Sequence, residues 1–260
     1  MRAAGKQDFG LLCIAVVPLL FCQTDVPPSE LVAKAARNHL ARARAAEDFN
    51  YSERVQNLNF DAKGKVTLRV SDTYDVVFIE GAPYRIHIAH NDRPISGSDL
   101  KKETDKMQAT ANARRSGDHR TAETSHNISL TLPIAQLPIQ FDLKSEGREV
   151  LDGHPCERIR ATPKPVFQPA TEEEMLAKAM EFTLWIDREE AQIVKIEARI
   201  ISAGTRFRTG TSVIQEFTKI KNEVWLPKQM RFHGLVQDGR KDVMAEAEQT
   251  YSNYKKFRVN

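Results

Sequence analysis

The chain has 260 residues, of which 41% are hydrophobic and 28% are charged, and its formal net charge is +3. This length allows one large domain or two small ones with a sizeable core, and the composition is ordinary for a globular chain. The small net charge, without a basic cluster interleaved with aromatic residues, argues against nucleic-acid binding.

The first 23 residues have the features of a secretory signal peptide. Arg2 and Lys6 precede an apolar run at residues 9–21, and polar residues follow it. Such signals typically have a positive start, an apolar core of roughly 7–15 residues and a polar exit. The apolar run is too short to span a bilayer comfortably, because a span needs about 20 residues. We therefore expect residues 1–23 to be a signal peptide and residues 24–260 to form a single domain exported to the periplasm.

The cysteines predict neither a disulfide nor a lipid anchor. Phe21 stands before Cys22, where the signals of lipoproteins have a small residue. After cleavage near this point Cys156 is the remaining thiol, and a lone thiol makes no intramolecular disulfide. We expect Cys156 to be a small packed core residue.

The N-terminal half begins with a helix and continues as a meander of strands. Ser29 predicts the N-cap of an amphipathic helix that ends near Ala46. Apolar and polar residues then alternate with a period of two, which is typical of strands with one buried face. The predicted strands cover residues 49–55, 66–70, 74–79 and 84–89. Ser96 or Ser98 predicts the start of a charged surface helix that reaches about Arg115.

Residues 128–141 are apolar but irregular. Pro133 and Pro138 exclude both a regular helix interior and a central strand. An apolar segment of this kind must still be buried, and we interpret it as a lid over an apolar surface. An ordinary connection that covers the core is the alternative.

The C-terminal half predicts more antiparallel strands. Residues 141–150 and 156–161 alternate around a turn at Asp152 and Gly153, and Thr171 predicts the start of a short acidic helix. A meander then covers residues 182–187, 194–200, 212–220 and 225–236, and a last strand covers residues 243–251. About ten or eleven antiparallel strands with two or three helices are expected, and a sheet of this size tends to curl.

The sequence contains no recognised catalytic or phosphate-binding motif. His87 and His90 are three positions apart in or next to a strand, which predicts opposite faces and no shared metal. Asp187, at a strand end, is interpreted as part of a solvated turn. We expect no catalytic residue, no metal site, no cofactor and no enzymatic activity; a hydrolase with dispersed residues is the alternative.

Several short motifs, taken in their order, resemble the outer-membrane lipoprotein-sorting family of LolA/LolB-like periplasmic carriers. The residues are Gly81-Ala82-Pro83-Tyr84-Arg85, Gly153-His154-Pro155, Ala161-Thr162-Pro163-Lys164-Pro165, Leu184-Trp185-Ile186-Asp187 and Glu223-Val224-Trp225-Leu226-Pro227. The resemblance implies a mainly β (α+β) fold, an unclosed antiparallel β-barrel wrapped on helices and a loop lid. It also implies a hydrophobic cavity that holds the acyl chain of a lipid or lipoprotein.

The expected function is that of a monomeric carrier in the bacterial envelope, with transient membrane contact. The cavity candidates are Val66, Leu68, Val70, Phe78, Ile86, Ile88, Leu184, Ile186, Ile196, Ile200, Met230 and Phe232. The lid candidates are Leu132, Ile134, Leu137 and Phe141. The alternative is a non-catalytic interaction or sensing module of the same fold, with a cavity filled by its own side chains and an envelope protein as its partner.

Overall fold

The computed structural model describes residues 26–117, 134–202, 208–238 and 241–257. The predicted signal peptide and the lid candidate Leu132 lie outside the described residues. Among the described residues, no helix is long and apolar enough to cross a membrane.

Eleven antiparallel strands of the described residues form one sheet. The strands are β1 Phe49–Phe60, β2 Val66–Ile79, β3 Ala82–His90, β4 Arg93–Pro94, β5 Phe141–Leu151, β6 His154–Pro163, β7 Met180–Asp187, β8 Ile193–Ile200, β9 Ser212–Ile220, β10 Val224–Asp238 and β11 Lys241–Lys256. Their order is β4-β3-β2-β1-β11-β10-β9-β8-β7-β6-β5. Because β4 and β5 end the sheet without pairing with each other, the barrel is unclosed, which confirms the predicted fold class.

Four α-helices of the described part of the chain accompany the sheet: α1 Pro28–Ala45, α2 Gly97–Arg115, α3 Leu137–Gln140 and α4 Glu172–Lys178. The prediction of Ser29 as the N-cap of α1 is wrong, because the helix already begins at Pro28; proline is favoured in the first helical turn. The prediction for α2 is confirmed, since the side chain of Ser96 accepts a hydrogen bond from the backbone N–H of Asp99.

One half of the inner face of the sheet is filled by the protein's own side chains. We call this region the sealed half: the inner face of β5 to β9, together with α1 and residues 134–141 that cover it. Val32 and Ala35 of α1 are 1% and 0% exposed, respectively. Their strand partners in the core include Ile159, Phe182, Leu184, Ile186, Ile196 and Ile200. Cys156 is also fully buried and free, which confirms its predicted role as a packed residue.

The strand β2 is one continuous strand, whereas the sequence predicts two. Ser71 and Asp72 pair with Gln56 and Val55 of β1, so the ladder continues through the polar stretch. The apolar alternation stops there because the inner face of the sheet is itself polar at this point. A loss of hydrophobic pattern therefore indicates a change of surface and not a strand end.

A prediction about stability concerns Gly234 in β10. A Cβ atom at this position would lie 2.7 Å from the Cβ atom of Thr211, whose side chain is only 3% exposed. We expect Gly234→Ala to lower the free energy of unfolding by about 1–3 kcal/mol through overpacking. Urea denaturation would measure this loss of stability. Gly97→Ala is the control, because a Cβ atom at that position meets no atom within 4 Å. Equal unfolding midpoints for the two variants would contradict the prediction.

Candidate functional site

The other half of the inner face is exposed only at one end, and it changes from apolar to polar along the strands. We call it the open half: the inner face of β1, β2, β3 and β11. At its apolar end a cross-strand row contains Val70, Asn57 and Ala247 and reaches Phe232 of β10. Residues paired across a sheet share a face, so this row joins the open half to the core. Leu68, on the next row, is 44% exposed.

The polar end of the open half contains a buried ion pair. Glu53 is 2% exposed, and one of its carboxylate oxygens accepts a hydrogen bond from the Arg85 guanidinium group. Arg85 lies 5.2 Å from the centroid of the Tyr74 ring. Burial raises the pKa of Glu53, and the nearby Arg85 opposes this shift. Arg85, whose side chain is 21% exposed, is the member of this pair that a polar ligand group can reach.

Three tyrosines lie beside this ion pair. Tyr51 contacts Tyr251 and Tyr254, with ring centroids 5.9 and 5.3 Å away. The Tyr251 hydroxyl donates to Oε1 of Gln249 at 2.9 Å, and the Tyr254 hydroxyl donates to the carbonyl of Pro227 at 2.7 Å. Burial raises the pKa of Tyr51 to about 12 and also raises the pKa of Tyr251 and Tyr254. The three phenols are therefore neutral at physiological pH and offer apolar rings with polar tips.

His87 and His90 lie on the same face of the sheet, so their predicted opposite orientation is wrong. Tyr74 pairs with His87, but its neighbour Thr73 pairs with Ala89, which leaves Ile88 as an extra residue in β3. A β-bulge of this kind shifts the alternation by one residue. Both imidazoles consequently approach Asp72: His87 Nε2 lies 3.0 Å and His90 Nδ1 lies 2.8 Å from its Oδ1 atom.

Asp187 itself is buried, so its interpretation as part of a solvated turn is wrong, although Glu189 and Glu190 of the same turn are exposed. Asp187 is 2% exposed, and its Oδ1 atom accepts hydrogen bonds from the backbone N–H groups of Glu189 and Glu190. Its Oδ2 atom lies 3.1 Å from Nδ1 of His154. Helix α1 also holds the turn, because the Asn38 amide donates to the carbonyl of Glu190 at 3.0 Å. These contacts give Asp187 a structural role at the end of β7.

The predicted cavity residues do not line one common space. Four of them are 0–1% exposed within the sealed half, Phe232 is 5% exposed and Met230 packs against the same core. The four are Leu184, Ile186, Ile196 and Ile200. Leu68, Val70 and Phe78 lie on the inner face of β2, in the open half. Of the lid candidates, Ile134, Leu137 and Phe141 are 5%, 0% and 1% exposed, respectively, within the core.

Three cavity candidates on β2 and β3 lie elsewhere. Val66 pairs with Phe60 and faces outward, because Thr67 is an extra residue that separates it from Leu68. Ile86 pairs with Asp75 and therefore also faces outward, opposite to Phe78. Ile88 is the bulged residue. The apolar alternation of β3 is real, but it places Ile86 on the outer face with Tyr84. Strand β3 also contacts α2, whose Arg114 donates hydrogen bonds to the carbonyls of Ala82 and Pro83.

A depression of about 330 Å³ lies on the outer face of the sheet. Its walls come from β1, β9, β10 and β11 and include Leu58, Ile214, Arg231, His233 and Glu246. The register places these side chains opposite to the inner face. This depression therefore does not correspond to the predicted internal cavity.

No family model and no curated protein matches the chain. Solved structures that resemble it include a putative outer membrane lipoprotein-sorting protein domain from Vibrio parahaemolyticus, with a TM-score of 0.40, 10% identity, and coverage of 86% of this chain and 92% of that one. A DUF1329 family protein from Desulfovibrio piger has a TM-score of 0.35 and 14% identity, with 91% and 95% coverage. A LolA superfamily protein from Nitrosomonas europaea has a TM-score of 0.33 and 12% identity, with 91% and 96% coverage.

The superfamily that the sequence resembles is thus present among the structural neighbours. None of these three is named as an enzyme. Identities of 10–14% and TM-scores of 0.40 or less carry no argument about a ligand.

Proposed function

We propose that the protein is an exported, periplasmic binding protein for the acyl chain of a lipid or lipoprotein, and that the chain lies along the open half. The observation that carries this proposal is the pairing of exposed apolar side chains with a polar end on one inner face. Leu68, Val70 and Val55 supply apolar surface, and Glu53 of the Glu53–Arg85 pair lies three rows, two rows and one row from them, respectively.

An acyl chain suits the apolar end of this face for energetic reasons. Each CH₂ group removed from water contributes roughly 0.8 kcal/mol. The small side chains of Ala245 and Ala247 lie in the same cross-strand rows as Leu68 and Val70, with Asn59 and Asn57 of β1 between them. The sealed half is less suitable, because side chains with 0–1% exposure, such as Leu184 and Ile196, have no water-sized space beside them.

The test is a titration of residues 24–260 with a fluorescent acyl-chain probe, together with native mass spectrometry and lipid extraction of the purified protein. Leu68→Glu and Val66→Glu form a matched pair, since the two side chains are 44% and 37% exposed and face opposite sides of the sheet. We expect Leu68→Glu to weaken probe binding by about tenfold, which corresponds to about 1.4 kcal/mol. Val66→Glu is expected to leave binding unchanged.

Two outcomes would count against the proposal. An empty protein that binds no probe would contradict acyl-chain binding altogether. Equal loss of binding in both variants would contradict the assignment to the inner face, because only Leu68 lies on it.

A second candidate is an interaction module with a filled interior. The sealed half favours it, and so does β5, which pairs with β6 and with no other strand of the described residues. A free edge strand can accept a strand from a partner protein. Val150, on this edge strand, is 71% exposed. The same titration separates the two functions, since the interaction module predicts an empty protein and no saturable probe binding.

A further inference from the structure

The cluster of Asp72, His87 and His90 lies at the polar end of the open half and has no part in the function proposed above. The three side chains come from two adjacent strands, β2 and the bulged end of β3. They are partly accessible, with 22%, 27% and 55% of the side chain exposed, respectively. We propose that this cluster is a binding site for a divalent transition metal of the zinc class.

The positions of the donor atoms support a single ion. One nitrogen of each imidazole and one oxygen of the carboxylate lie within 4.8 Å of one another. The contacts of 3.0 and 2.8 Å both converge on Oδ1 of Asp72. Zinc binds nitrogen and oxygen ligands at about 2.0–2.2 Å, so tetrahedral ligands lie about 3.4 Å apart. Small rotations of the three side chains open their contacts to that spacing.

The donor set also matches the chemistry of the ion. Two imidazole nitrogens and one carboxylate oxygen suit zinc and neighbouring first-row metals, and they do not suit magnesium or calcium, which prefer oxygen ligands. Three protein ligands leave a fourth position for water or for a ligand group. The carbonyl oxygen of Ala89 lies 2.8 Å from Nε2 of His87 and is the hydrogen-bond partner that the ion would replace.

The local structure holds the ligands in position. The His87 ring packs on Tyr74, with their centroids 5.1 Å apart. Asn91 has a positive φ of 50° and lies beside His90, with its Nδ2 atom 3.0 Å from Nε2 of that ring. The Oδ1 atom of Asn91 accepts from the backbone N–H of Ser71, which ties the turn to β2. The bulge at Ile88 is the feature that brings both rings to one side.

The site faces the same surface as Glu53 and Tyr74, because Asp72 and Tyr74 are two residues apart on β2. A bound ion would therefore add positive charge at the polar end of the open half. An anionic ligand group, such as a carboxylate or phosphate, could then occupy its fourth coordination position.

The test is calorimetric titration of the full chain, expressed without an affinity tag, with ZnCl₂. We expect one ion per chain. His87→Ala or Asp72→Asn is expected to weaken zinc binding by at least about 100-fold. This exceeds the 10–100-fold loss that is typical when a residue that contacts only a metal ligand is replaced. His90→Gln, at a more exposed side chain, gives a second variant that retains the fold, as checked by circular dichroism. Cobalt binding provides an independent spectroscopic readout of four-coordinate geometry.

His233→Ala is the matched control. Its side chain is 57% exposed and lies 3.1 Å from Glu246 on the outer face of the sheet, so it reports adventitious binding at a surface His–Glu pair. His119→Ala tests whether zinc binds instead at a histidine that lies outside the described residues. Absence of zinc binding, or binding that persists in all three cluster variants, would overturn the proposal whether or not the protein binds acyl chains.

Discussion

Replacing Leu137 by alanine is expected to lower the free energy of unfolding by about 2–5 kcal/mol, the usual cost of a large-to-small change in a packed core. The Leu137 side chain is 0% exposed, and it lies in the cluster formed by α1 and the strands of the sealed half. Helix α1 contacts the helical turns at residues 134–140 directly. Urea denaturation followed by circular dichroism would measure the change.

The matched control is Ile139→Ala. Ile139 belongs to the same segment but is 73% exposed, so its replacement is expected to change stability by less than about 0.5 kcal/mol. The comparison also decides between the two interpretations of this segment. If Leu137→Ala and Ile139→Ala unfold at the same urea concentration, the segment is not part of the cooperative core and acts as a movable lid.

The fold class could be predicted because strand alternation and turns are local. The repeat of apolar and polar residues in β7 and β8 indicates strands with one buried face, and the structure has them at Met180–Asp187 and Ile193–Ile200. The alternation in these two strands also predicts which face is buried. It does not predict that α1 covers this face, because the docking of α1 on the sheet depends on contacts between residues far apart in the chain.

The candidate site could not be predicted, because it depends on two β-bulges. The extra residues at Thr67 and Ile88 reverse which side chains share a face. Neither position is a glycine, so the sequence has no local signal for them. A strict period of two therefore places Val66 with Leu68 and separates His87 from His90, and both inferences are wrong.

The polar side chains on the inner face explain the remaining differences. Glu53 and Tyr74 occupy inward positions of β1 and β2 that a hydrophobic pattern assigns to apolar residues. The burial of Glu53 is compensated by Arg85, which comes from the neighbouring strand β3. Such a pair is formed by strand register, and therefore residue type at single positions does not reveal it.

A second large loss of stability is expected when the pH is lowered. His39 of α1 lies edge-on to Phe217, with ring centroids 5.8 Å apart, and its Nδ1 atom contacts Nη2 of Arg42. Arg42 is itself 6% exposed and lies over the Phe217 ring, 3.8 Å from its centroid. Burial, with a smaller contribution from the charge of Arg42, lowers the pKa of His39 from 6.5 to about 3.

This shift makes the native state sensitive to pH between about 3 and 6.5. In that range the unfolded chain binds a proton at His39 and the native chain does not, so stability falls as the pH falls. At pH 5 the unfolded group is protonated and the native one is neutral, and the difference is about 2 kcal/mol at 1.36 kcal/mol per pKa unit. The stabilisation is fully present above pH 6.5.

The variant His39→Asn separates this contribution from those of the carboxylates. Asparagine does not titrate, and its Oδ1 atom can accept the hydrogen bond that Arg42 donates to Nδ1 of His39. Urea denaturation at pH 7 and pH 5 should show a loss of stability about 2 kcal/mol larger for the natural chain than for the variant. Parallel losses would contradict this prediction, because they would mean that His39 binds a proton equally well in the native and the unfolded chain. Because His39 lies against Phe217 of β9, its acid response reports on the packing of α1 against the sealed half.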